Sequence, residues 1–285
     1  MTTTDQSNNN QLTREFKDFI GGLSHGMALV GVASIDRFDN FPTGHGPRDF
    51  IADANAVIVI ALPIVEGVMG LEHFMEKSEI FKEQDTYTNN EGNTKVWSPR
   101  VVVRGHIESR NSHEILNIEL QTLSMYSALF LEKNGYRTVY MPTTYGNTMS
   151  WPGNLDRSLP RAAPQWYGPF SHRHAAVAAG LGEFGLNNLF LTPEYGPRVR
   201  LVSIITAAPL TADPVLENPI CLGKKCSLCV KACPAKAFGD IYEIEIAGKK
   251  NYQARISQDD CAKFNKVCYK KCVRACPVAL KFGKA

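Results

Sequence analysis

The residues with the clearest chemistry are eight cysteines, all of them between Cys221 and Cys276. They fall into two runs. The first is Cys221-x4-Cys226-x2-Cys229-x3-Cys233-Pro234, and the second is Cys261-x6-Cys268-x3-Cys272-x3-Cys276-Pro277. Each closes on the same text: CVKACPAKAFG (229–239) returns as CVRACPVALKFG (272–283), an internal duplication with one residue inserted. Thiolates are soft metal ligands, and eight of them clustered in a reducing compartment point to metal rather than to disulfides.

A cysteine loop of this kind wraps an iron–sulfide cube with three thiolates. In bacterial proteins with two such cubes, the cysteine before proline ligates the cube built on the opposite run. That rule assigns Cys221, Cys226, Cys229 and Cys276 to one 4Fe-4S cluster, and Cys261, Cys268, Cys272 and Cys233 to a second. Plant-type 2Fe-2S proteins share the x4, x2 spacing but not the Cys-Pro repeat. Two structural zinc sites would also use four cysteines each. The duplicated Cys-Pro ending favours cubes over either. Between the runs, residues 241–256 alternate around Ala247-Gly248 and predict a hairpin.

The rest of the chain must position this device. A helix is expected over 12–25, with residues 1–11 as a disordered leader, then strands over 28–35 and 56–64. The second strand, AVIVIALPI, is β-branched, continuous and suited to burial on both faces. A short strand is possible at 101–103. Residues 113–134 predict a helix with Leu116, Leu120, Leu123 and Phe130 on one stripe, Asn111 and Glu114 as a capping pair, and Gly135 as its stop. A strand over 138–142, an ordered Pro- and aromatic-rich loop over 143–170, a helix over 172–179 and a strand over 199–210 complete a layered α/β domain at 12–215. Residues 211–219 read as a linker into a small two-cluster ferredoxin-like domain at 216–285.

The overall charge of +3 hides an asymmetry. From residue 221 onward there are 14 Lys and Arg against 5 Asp and Glu, a net of +9, which leaves −6 for residues 1–220. Thiolate-ligated clusters would cancel part of the basic excess, and the remainder suits an acidic ferredoxin or flavodoxin as electron donor. Charge alone leaves a nucleic-acid partner open. There is no apolar leader, no twin-arginine pair and no run of eighteen apolar residues, so a cytoplasmic protein with no membrane partner is expected.

The stretch HRHAAVAAGLGEFGLNNLFLTPEYGPRVRLVSIITAAPL (172–210) before the cysteine runs, with GHGPRDFIADANAVIVIALPI (44–64), resembles the reductive dehalogenase and epoxyqueuosine reductase superfamily. The resemblance implies an α/β (α+β), nitroreductase-like domain holding base-off cobalamin, fed with electrons by the nearer cluster, and an organic small-molecule substrate. It would place Gly180, Leu181, Gly182 and Gly185 against the macrocycle and Asn187 and Asn188 on its amide fringe. The bland alternative is a tight helix-to-strand turn packed in the core. A tyrosine proton donor beside a cation is implied too, with Tyr167 first, Tyr145 second, and Arg198 or Arg200 as the cation.

Departures from the pattern are informative. Arg161-Ala162-Ala163-Pro164 stands where epoxyqueuosine reductases carry an aspartate before an Ala-Pro element, and their C-terminal repeats have no counterpart. A cytoplasmic relative of either branch is therefore expected, with its substrate open. Two other functions stand beside it: a corrinoid-binding accessory protein, and an electron-transfer protein with FMN or no second cofactor. His172 and His174, two apart on a helix, make a poor metal pair, and His45 and His106 suit turns beside glycine.

Overall fold

A computed structural model describes residues 3–69, 85–88, 90–92, 94–97, 104–143, 170–257, 259–261, 268 and 270–279. Its centre is a four-stranded sheet made of β1 (Leu29–Ser34), β2 (Ala56–Pro63), β5 (Thr138–Tyr140) and β8 (Val199–Thr206), in the order β1-β2-β8-β5. Every neighbouring pair is antiparallel. β3 (Asp85–Thr88) and β4 (Thr94–Trp97) form a separate two-stranded ladder. The short strand expected at 101–103 lies outside the described residues.

β2 is buried on both faces because helices cover both sides of the sheet. Successive side chains of a strand point to opposite faces. Accordingly Ala56, Ile58, Ile60 and Leu62 pack with Phe16 and Ile20 of α1 (Thr3–Leu23) and with Leu120, Leu123 and Leu131 of α2 (Ile115–Lys133). Val57 and Val59 face the other way, onto the alanines of α3 (His172–Ala178). The layering thus follows from the apolar pattern, while the strand directions do not.

Two helices begin earlier than their sequences suggest. Residues 3–11, expected to be disordered, form the opening turns of α1. They carry no apolar stripe. Their order comes from tertiary bonds, since the Thr211 amide donates to Thr13 Oγ1 (2.8 Å) and Thr211 Oγ1 donates to Asn10 Oδ1 (2.5 Å). Asn111 and Glu114 likewise do not cap α2, because a π-helical segment, Arg104–Glu114, runs directly into it. Its buried Glu108 and Ser112 both meet Lys270 from the second cysteine run. These contacts extend the helix where an end was expected. The far end behaves as expected, with Gly135 at φ +89°.

Residues 211–219 are pinned rather than free. Asp213 takes both carboxylate oxygens to Lys17 Nζ (2.6 and 2.7 Å) and accepts from the Val32 amide (2.8 Å), while its own amide donates to Val32 O (2.8 Å). Arg37 Nη1 reaches Asp213 O (2.8 Å) and Ala178 O (2.6 Å). Asp213→Ala removes three charge-assisted bonds from a half-buried site and is expected to cost about 2 kcal/mol, read as a lowered denaturant midpoint. Beyond it, β9 (Phe238–Ile246) and β10 (Lys249–Ile256) form the expected hairpin, turning at Ala247 (φ +51°) and Gly248 (φ +76°), the paired positive angles of a type I′ turn. Ile246 is buried in the same core as Val57 and Val59, so the hairpin packs against the sheet domain.

Candidate functional site

The duplicated cysteine text folds as a duplicated backbone. α4 (Leu228–Lys231) and α5 (Lys271–Arg274) are each entered through a left-handed residue, Ser227 at φ +51° and Lys270 at φ +52°, and the two helices pack together. Each delivers its cysteine-proline pair directly after its last turn.

The thiols sort into two neighbourhoods that cross the runs. Cys229 is pushed up to about 11, first by burial and then by the charges of Cys221 and Cys276. Cys276 also forms one buried cluster with Leu191, against which Cys221 and Ile220 pack. Cys272 is pushed up to about 12 by burial, then by Cys268, Cys261, Cys233 and last Cys229. Cys261 is raised by burial and by Cys268 and Cys233. One neighbourhood therefore contains Cys221, Cys229 and Cys276, and the other contains Cys233, Cys261, Cys268 and Cys272. Cys226 lies within the first run, half-buried. Each Cys-Pro cysteine stands with the opposite run. Burial thus favours the protonated thiol at Cys229, Cys261 and Cys272 in the bare protein, whereas a coordinating metal deprotonates its thiol ligands outright. Among the described residues, no three His, Cys, Asp or Glu side chains converge on a single-ion site.

The glycine-rich turn after α3 supports these loops from below. It runs through β6 (Glu183–Phe184) to β7 (Phe190–Leu191). A Cβ on Gly180, which sits at φ +75°, would lie 2.1 Å from Pro214 O, and one on Gly182 would lie 1.8 Å from Leu191 O. At Gly185 the neighbour is Leu191 Cδ1, 2.5 Å away. Leu181 packs into the core. Asn187 is buried, donates through Nδ2 to Cys272 O (3.2 Å) and accepts from the Leu189 amide (3.3 Å). Asn188, at φ +58°, gives both its carbonyl and its Oδ1 to Arg173 Nη1. The close approaches these residues permit are thus taken by the protein's own chain.

Two ion pairs absent from the sequence-based site complete the support. Glu183 is a buried carboxylate whose Oε1 accepts from the Ile220 and Cys221 amides, and whose Oε2 meets Lys249 Nζ. Lys270 joins the second run to Glu108 (3.1 Å) and Ser112 (3.0 Å). Nothing in local sequence pattern marks either pair, because the partners are 66 and 162 positions apart in the chain.

Arg198 and Arg200 project from one face of β8, as residues two apart must. Arg198 is buried, donates through Nη1 to Ile64 O (2.9 Å), and its Nε has no hydrogen-bond partner among the described residues. Arg200 is committed: Nε and Nη2 donate to Asn117 Oδ1 (3.1 and 2.9 Å), Nη2 lies 3.2 Å from His113 Nε2, and burial lowers its pKa to about 10. Tyr145, Tyr167 and the 161–164 element fall outside the described residues. So does the side chain of His106. The His45 amide closes a turn onto Pro42 O (3.0 Å).

His172 and His174 have separate partners. His172 spans Ser203 Oγ and Pro142 O, both at 2.9 Å, and His174 meets Ser171 Oγ (2.6 Å) between the rings of Phe41 and Phe184. Burial lowers both, and His113 as well, to about 4. The unfolded chain takes up these protons near pH 6.5, and the folded chain only near 4. Stability is therefore full above pH 6.5 and falls as pH drops toward 4, by roughly 1.4 kcal/mol per pH unit for each of His172 and His174, and by less for the half-buried His113, which solvent screens. Denaturant unfolding at pH 7 and pH 5 should show the loss, and His172→Gln should flatten it.

No protein-family model matches the chain. It is similar to the tetrachloroethene reductive dehalogenase of Sulfurospirillum multivorans, 32% identical over 104 residues that make up 34% of this chain and 19% of that protein. It is also similar to the epoxyqueuosine reductase of Listeria monocytogenes, 42% identical over 67 residues, 24% of this chain and 17% of that one. The matched regions thus span less than a fifth of either relative. Among solved structures, a selenomethionine-labelled epoxyqueuosine reductase superimposes with a TM-score of 0.54 at 18% identity, covering 95% of this chain and 66% of that one. A reductive dehalogenase studied for B12-dependent dehalogenation gives 0.50 at 16%, covering 86% and 28%. The mixed α/β fold is the one these proteins share. Over the matched residues the chain is similar to reductive dehalogenases and epoxyqueuosine reductases, which are oxidoreductases. Among the described residues, no helix is long and apolar enough to cross a membrane.

Proposed function

We propose that the chain is an iron–sulfur oxidoreductase that passes low-potential electrons through two 4Fe-4S clusters, with cobalamin as the final carrier, to reduce an organic substrate by dehalogenation or deoxygenation. The observation that carries the reading is the crossing of the cysteine runs. Cys276 stands with Cys221 and Cys229, and Cys233 stands with Cys261, Cys268 and Cys272. That is the distribution two interleaved cubes require, and two independent zinc loops would not need it. Bound clusters supply one-electron transfer at low potential. The packing of α4 against α5, which carry Cys229 and Cys272, sets the two groups of thiols side by side.

On this reading, residues 216–285 are a ferredoxin-like module and residues 12–215 a nitroreductase-like one that faces the substrate. An acidic ferredoxin or flavodoxin in the cytoplasm would load the clusters. The corrinoid part draws support from the relatives. Its proposed contacts remain Gly180, Leu181, Gly182, Gly185, Asn187 and Asn188, of which Gly180, Gly182, Gly185 and Asn187 also touch the protein's own chain. For the cation beside a tyrosine donor, Arg198 is better suited than Arg200, whose guanidinium is already held by Asn117 and His113. The filled glycine turn favours a second reading, electron transfer without corrinoid.

One experiment separates the two. The protein is reconstituted anaerobically, mixed with hydroxocobalamin or FMN and passed through gel filtration. Retained base-off cobalamin is the expected result, whereas retained FMN, or neither, selects the second reading.

A further inference from the structure

We propose that Glu183 is a positioning residue for Cys221 and, through it, lowers the reduction potential of the cluster built on the first run; the proposal rests on the two-cluster reading above. Glu183 lies on β6 with its side chain 6% exposed. One oxygen, Oε1, accepts from two consecutive backbone amides, Ile220 (2.7 Å) and Cys221 (2.6 Å). The other, Oε2, is 2.9 Å from Lys249 Nζ, itself 11% exposed, which also donates to Leu216 O (2.6 Å). A buried carboxylate persists only when paired and hydrogen-bonded, and this one receives three donors. Among the described backbone bonds, neither the Ile220 nor the Cys221 amide has a carbonyl partner.

Two consequences follow for Cys221. Its main chain is clamped to β6 at the point where the first run begins, and Lys249 ties the same clamp to the hairpin that joins the runs. The second consequence is electrostatic. Cluster potentials depend on net charge and on hydrogen bonds to the sulfurs. Glu183 places a negative charge against the first ligand and occupies two amides that would otherwise be free to donate to sulfur. Both effects disfavour an added electron. Lys249 offsets the charge only in part, since it sits on the carboxylate oxygen away from Cys221.

A mere fold clamp would not act on one cluster alone. The test uses the full chain, reconstituted anaerobically, with both cluster potentials followed by EPR during redox titration. Glu183→Gln keeps an oxygen acceptor and removes the charge. It is expected to raise one potential by about 59 mV, a tenfold change in the oxidised-to-reduced ratio for one electron, and to leave the other unchanged. Glu183→Gln combined with Lys249→Gln leaves no unpaired buried charge, and should move the same cluster in the same direction by less. Hydrogen exchange at the Ile220 and Cys221 amides should quicken at least tenfold in Glu183→Ala. Potentials that stay put, or that shift together, in both Gln variants would overturn the proposal. Parent protein that takes up no iron would instead sink the two-cluster reading, with amide exchange still reporting on the clamp.

Discussion

Cys276→Ala should abolish the cluster of the first cysteine run and spare the cluster of its own. Iron in the reconstituted protein is expected to fall from about eight to about four per chain, and Cys233→Ala should produce the mirror image. Combination makes the assignment unambiguous. Adding Cys226→Ala to Cys276→Ala should remove no further iron, because both ligands serve one cube, whereas adding Cys268→Ala should take the iron to about zero. The opposite pattern would mean that each run closes on itself. The expectation rests on Cys221 packing against the cluster that Cys276, 55 positions further along the chain, forms with Leu191.

Gly182→Ala is expected to destabilise the fold by about 3 kcal/mol or more, the upper range of overpacking. The added carbon would stand 1.8 Å from Leu191 O, a backbone atom that cannot swing away. Relief would require separating β6 from β7, which pair at Glu183 with Leu191 and at Phe184 with Phe190. Gly180→Ala should be comparable, since it adds a left-handed backbone to a 2.1 Å approach to Pro214 O. Gly21, inside α1 with nothing within 4 Å, is the control. Its replacement by Ala should stabilise by roughly 0.5–1 kcal/mol. Denaturant midpoints measure all three, and a Gly182→Ala protein as stable as the parent would show that the turn has room.

These residues also mark what the sequence could convey. The strands at 29–34 and 56–63, the helix before Gly135 and the hairpin around Ala247-Gly248 were legible because each is encoded locally, by apolar period or turn chemistry. The cysteine crossing was expected for a different reason: the repeat of CVKACP as CVRACP points to the rule for bacterial proteins with two cubes. The first turns of α1 and the π-helical segment were not legible. Their order depends on Thr211 and Lys270, far away in the chain. Strand direction was hidden as well, since a strand buried on both faces reads alike in parallel and antiparallel sheets.

The glycines illustrate a subtler limit. Gly180, Gly182 and Gly185 correctly signalled close approach, but a sequence cannot say what approaches. Here it is Pro214 and Leu191. Glu183 lay in the same few residues and drew no notice, because its importance appears only when Ile220, Cys221 and Lys249 surround it. Asn187 beside them holds the carbonyl of Cys272, a bond across 85 positions that no local pattern marks.

The most direct measurement is metal and acid-labile sulfide analysis of the anaerobically purified chain together with its visible spectrum. Two cubes on eight cysteines predict a brown protein with about eight iron and eight sulfide per chain. A colourless protein carrying about two zinc and no sulfide would contradict the account.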